Sequence, residues 1–175
     1  MKMTMHDLAT RTFTNALGSL DKLLEKAEPY AAEKNIDLIN ARLAPDMFTF
    51  AQQIQIVCFF ATDTMGRLSG KPVMEFGNPD TSFAAMRTSI AKALATVRST
   101  PIEAFAGGEE RDCSVEPTGA DIVIKMDGLT FLRDWVLPHF YFHFVTAYDI
   151  LRHNGLAIGK LDFASWAGAY IRPKA

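Results

Sequence analysis

The stretch Pro138–Gly155, PHFYFHFVTAYDILRHNG, decides how this chain is read, and it holds three of the four histidines. His139 and His143 are four residues apart. On a helix they stand one above the other with Cβ atoms about 6 Å apart, a spacing at which two imidazoles can share one metal ion. The same face continues through Thr146, Ile150 and His153, and a second stripe, Phe140, Phe144, Ala147 and Leu151, runs beside it. A helix apolar round most of its circumference has to be buried on several sides.

The composition limits what surrounds this helix. A chain of 175 residues fits one domain, residues 1–175, and buries about two-thirds of its unfolded surface without needing a disulfide or structural metal. A net charge of -2 with 22% charged residues supplies no basic surface for a phosphate backbone or an anionic bilayer, so neither nucleic acid nor membrane is expected as a partner. Cys58 and Cys113 form no Cys-x-x-Cys pair and read as reduced thiols. The opening MKMTMHDLATRTF lacks the apolar core of a signal peptide, and no segment approaches 18 uncharged apolar residues. The expected location is the cytoplasm.

From Met5 to about Ala27, Leu8, Phe13, Ala16, Leu17, Leu20 and Leu24 recur with a period near 3.6, which predicts one long amphipathic helix capped by Thr4. Pro29 is expected to end or kink it at Glu28. His6, in the first turn, reads as a solvated or capping residue at a frayed end. Residues 36–48 suggest a helical turn and a Pro45-marked entry to a second helix over Phe48–Leu68, with Asp46 as a helix-start acid. That helix carries no charge between Met47 and Thr62 and is expected at the centre. Its glutamines, Gln52, Gln53 and Gln55, need polar partners, because a buried unpaired amide costs about 1–3 kcal/mol. Ser69–Asp80 reads as a loop. Asp80 or Thr81 then caps a third helix striped by Phe83, Met86, Ile90, Leu94 and Val97, with Arg87 on its water side, and Pro101 marks its end. Alternation of Cys113 and Val115, then of Ile122, Ile124 and Met126, around PTGA predicts a β-hairpin. Asp127 or Thr130 opens the last helical region, which Pro138 restarts or kinks. Phe163, Trp166 and Tyr170 can fold the tail back. These elements define a mainly α fold, a four-helix bundle with a small hairpin inserted before the last long helix.

The last helix, with His-x-x-x-His at its start, Leu151–Arg152 further along and a closing Gly155, resembles that of the DinB/YfiT-like four-helix-bundle superfamily. More closely, ARLAPDMF (41–48), QIQ (53–55), FYFH (140–143), TAYDILRHNG (146–155) and GKLDF (159–163) resemble a bacterial branch of it known as a domain of unknown function. The resemblance implies a DinB-like bundle, the hairpin before the last helix and, in many members, a homodimer. In the superfamily's metal-binding members a histidine of the second helix joins the pair from the last. His139 and His143 match that pair. The second-helix position falls near Gln53 to Gln55, and an amide is a poor ligand for zinc or nickel.

Three readings of the stripe stand open. His139 and His143, with Gln55 or water, hold a divalent metal that acts as a Lewis acid or activates water or a thiol, as in a hydrolase or thiol transferase. Alternatively, His143 and His153 are core polar groups bonded to Gln55, Tyr141 or Asp46, and the bundle is a binding or interaction module whose pocket, with Gln53, Tyr141 and Asp46 nearby, takes a small apolar ligand. Thirdly, His143 is a general base without metal. No Gly-x-Ser-x-Gly, P-loop or Gly-x-Gly-x-x-Gly occurs, so hydrolytic triads and nucleotide binding drop out. The aromatic run Phe140, Tyr141, Phe142 and Phe144 reads as core.

Overall fold

Thr4 starts the bundle by a reciprocal pair of bonds. Its hydroxyl accepts from the Asp7 backbone N–H at 3.0 Å, and Asp7 accepts from the Thr4 N–H at 3.1 Å, so two otherwise orphan donors are satisfied. A computed structural model describes residues 3–71, 77–117, 119 and 121–172, and in it this first helix, α1, runs Met5–Lys34. It passes straight through Pro29, against the expected stop at Glu28, and ends at Asn35 in the left-handed conformation (φ 51°). The missing Pro29 hydrogen bond is offset by packing beyond it: Ala31 is buried, and the Tyr30 hydroxyl donates to the Asn154 carbonyl at 2.9 Å. His6 is pinned rather than frayed. Its Nε2 bonds the Thr100 carbonyl at 2.9 Å and its ring meets Phe105 edge-on.

The connection after α1 buries Leu38 and gives its Ala41 and Ile39 carbonyls to the N–H groups of Phe50 and Ala51. Helix α2, Phe50–Leu68, starts two residues later than the sequence suggests because Thr49 and Gln52 cap each other. Helix α3, Phe83–Ser99, is capped by Ser82, not by Asp80 or Thr81. The loop reading of Ser69–Asp80 lies partly outside the described residues. Arg87 does not face water alone: it bonds Asp21 at 2.7 Å and Glu25 at 2.7 Å and ties α3 to α1.

The predicted β-hairpin forms only as two isolated antiparallel bridges, Asp112↔Asp127 and Val115↔Ile124, and no strand occurs among the described residues. Val115 and Ile124 exchange both backbone bonds at 2.9 Å, and the Cys113 N–H donates to the Met126 carbonyl at 3.0 Å. Ser114, between them, turns its backbone outward, where its N–H goes to Asp112 at 2.9 Å and its carbonyl accepts from Arg67 Nη1 at 2.9 Å. Asp127 caps the next segment, accepting the Thr130 N–H at 2.7 Å. A side chain at Gly128 would put Cβ 1.8 Å from the Gly108 carbonyl oxygen, so only glycine lets the two segments close here.

From there one continuous helical run carries α4 (Gly128–Thr130), a π-turn (Phe131–Val136) and α5 (Leu137–His153). Pro138 lies in the first turn of α5, as expected, but the helical run continues through it from the π-turn. The wide turn before it, closed by Leu137 N–H to the Leu132 carbonyl, makes room for a ring that has no N–H to offer. The short α6 (Lys160–Phe163) returns the tail to the bundle, with Phe163 stacked on Phe144 at 4.4 Å and Lys26 paired to Asp162 at 2.5 Å. Trp166 sits beside Phe163, whereas Tyr170 stays exposed. Between the four long elements lie Phe13, Leu17, Leu20, Leu24, Ile54, Phe140 and Phe144, all fully buried. Burial at this level contributes about 1.5–3 kcal/mol per side chain.

Candidate functional site

Helices α2 and α5 lie antiparallel. Gln53 meets His143, Phe60 lies against both His139 and His143, and Arg67 reaches Phe131, so numbering rises along one helix as it falls along the other. His143 is buried, and its Nδ1 lies 2.6 Å from Gln53 Oε1. An amide oxygen only accepts, so the imidazole carries its proton on Nδ1 and keeps its lone pair on Nε2. The Gln53 amide N–H donates to the Phe48 carbonyl at 3.3 Å. Burial, and secondarily the charge of His139, pushes the His143 pKa down to about 4, so the ring is neutral at physiological pH.

His139 is fixed by a different partner. Its Nδ1 donates to the Trp135 carbonyl at 2.6 Å, and its ring lies 4.3 Å from that of Trp135. Both histidines are thus oriented by Nδ1 bonds and stack against Phe60, with centroids at 5.8 and 6.1 Å.

Beside them opens a cavity of about 360 Å³ between α2, the π-turn and the bridged segment. Phe59, Phe60 and Trp135 give it aromatic surface, and His143, Asp63 and Glu116 give it polar groups. Asp63 is buried, with Oδ2 2.8 Å from Arg67 Nε, while its Oδ1 is sequestered and has no hydrogen-bond partner among the described residues. Burial raises the Asp63 pKa against the pull of Arg67. Arg67 also holds the Ser114 carbonyl and lies over the Phe131 ring at 5.7 Å, so it clamps three elements around the cavity. Sequence reasoning passed over Asp63, Arg67, Phe60 and Trp135. The available signal was local: 53, 56, 60, 63 and 67 trace one face of α2, and Asp63 and Arg67 are the first charges after an uncharged run, spaced i,i+4.

The other residues singled out from sequence do not join this group. Gln55 points to the opposite side of α2 and donates to the Gly77 carbonyl. Asp46 is exposed in the connection before α2, His153 is exposed at the end of α5, and Tyr141 is partly exposed on its outer face. Burial raises the Tyr141 hydroxyl pKa. Cys58 and Cys113 are buried free thiols, and Cys58 is pushed up to about 12, first by burial and then by Asp80. Among the described residues no three His, Cys, Asp or Glu side chains gather closely enough to hold a metal ion. The donor set therefore stops at two imidazoles, and the amide at the second-helix position is engaged in orienting His143. It does not fit the three-ligand arrangement expected for zinc or nickel.

The site sits in a mainly helical bundle with two histidines at its α2–α5 seam, and the bundle is DinB-like by its likeness to a solved DinB family member. The family model described as a domain of unknown function, DUF1993, matches residues 5–164, and the chain belongs to that family. The crystal structure of a DinB family member protein from Shewanella denitrificans is 31% identical to this chain, covers 91% of each of the two chains and superposes with a TM-score of 0.77. No curated protein matches. No helix among the described residues is long and apolar enough to cross a membrane.

Proposed function

We propose that this chain is a cytoplasmic binding module, a DinB-like bundle in which the metal site is degenerate and the cavity beside His143 takes a small molecule. One observation supports this most strongly: Gln53, in the stretch of α2 where the resemblance would put a third ligand, accepts the His143 Nδ1–H at 2.6 Å. The hydrogen-bond pattern is that of a satisfied polar pair whose remaining acceptor, Nε2, is kept for a donor in the cavity. The same reading includes pairing of two copies through the outer face of α5 and the connection just before α2, where Phe142 is 57% and Phe48 is 52% exposed, since apolar surface of this kind marks interaction sites.

Elemental analysis of protein purified without an affinity tag, alongside His143→Ala, tests the reading against the metal-dependent hydrolase or thiol transferase alternative. Substoichiometric metal that the substitution does not alter agrees with a binding module. One divalent ion per chain, lost on substitution, contradicts it.

A further inference from the structure

We propose that the cavity selects a small primary amine with an apolar or aromatic body, its ammonium group placed between the Phe60 and Trp135 rings and the Glu116 carboxylate and donating to His143; this rests on reading the cavity as a ligand site. Charge balance is the first reason. Arg67 is the cation in the cavity wall, and its charge is already matched by Asp63 at 2.8 Å while its Nη1 is held by the Ser114 carbonyl. Glu116, exposed at the mouth, forms no ion pair among the described residues. The lining therefore carries one uncompensated negative charge.

The second reason is the direction of the hydrogen bonds on offer. With its Nδ1–H given to Gln53, His143 has only an acceptor left, and Asp63 Oδ1 adds a buried oxygen behind the wall that has no partner among the described residues. A carboxylate or phosphate ligand would meet lone pairs and like charge. An ammonium meets acceptors, and aromatic faces attract it through their ring quadrupoles. Ile56, Val115 and Pro117 complete the wall and can cover a hydrocarbon body.

Three probes of one shape separate the possibilities: benzylamine, benzyl alcohol and benzoate, titrated into the intact protein and into Glu116→Gln by calorimetry, with the His143 and Trp135 side-chain resonances followed by NMR. Glu116 is exposed, so the variant keeps the fold. The expected result is benzylamine binding about tenfold more tightly than benzyl alcohol, benzoate weakest, and the amine preference reduced several-fold in Glu116→Gln. Equal binding of the alcohol, tighter binding of benzoate, or an amine preference that Glu116→Gln leaves intact overturns the amine assignment while the ligand cavity stands. Failure of all three probes to move the His143 and Trp135 resonances overturns the cavity reading as well.

Discussion

His143 links protonation to stability with a definite sign. Its folded pKa of about 4 lies below the ordinary 6.5, so the unfolded chain takes up the proton first. The stability held by the neutral ring is complete above about pH 6.5 and is lost as pH falls toward 4, by about 3 kcal/mol in the limit. Asp63 acts in the opposite sense: its raised pKa favours the protonated folded form, so it recovers part of that loss at the acid end. Denaturant unfolding across pH 4–7 should therefore show stability falling on acidification, with a flatter profile in His143→Gln, whose amide can still donate to Gln53. Identical profiles for the two proteins would contradict the assignment.

At the level of elements, the Arg67 clamp and the proline in α1 make opposite predictions. Removing Arg67 leaves the buried Asp63 carboxyl alone and frees the Ser114 carbonyl, so Arg67→Ala should cost about 3–5 kcal/mol in denaturant unfolding. Adding Asp63→Ala to it should return part of that loss; strictly additive losses would mean that the two side chains act independently. Pro29 is exposed inside α1, so Pro29→Ala restores a helical hydrogen bond at little packing cost and should stabilise by about 1–3 kcal/mol, read as a raised Tm. An unchanged or lowered Tm would show that the ring is needed where it is. The same elements show what the sequence can and cannot reveal. The Thr4 cap, the stripes of α1 and α3 and the buried face of α5 are legible because periodicity and capping are local. The course through Pro29 is not, because Tyr30 and Asn154, far apart in sequence, hold the end of α1 together. The alternation over 113–126 marks where the two bridges form, but not that the pairing stops there. The site is half legible: His139 and His143 read as a helical pair and Gln53 as a pocket residue, but the partner of His143 reads as Gln55, not Gln53. Its partners Asp63, Arg67 and Trp135 depend on the register of α2 against α5, which no local pattern encodes.

For the whole molecule, the proposed pairing rests on the exposed Phe48 and Phe142. If two copies pair through this face, sedimentation should give twice the 19.4 kDa chain mass, and Phe142→Glu should yield monomers with unchanged helical content, since a charge at an apolar interface is costly to desolvate. A dimer that survives the substitution places the contact elsewhere, and a monomeric parent protein rejects pairing altogether.

The central claim is that the paired imidazoles are held for hydrogen bonding by Gln53 and the Trp135 carbonyl. Long-range ¹H–¹⁵N correlation of the histidine side chains tests it most directly. The account predicts a protonated Nδ1 and a bare Nε2 on His143 at neutral pH, with both shifts unmoved by one equivalent of zinc; a zinc-induced shift of Nε2 on both His139 and His143 would contradict it.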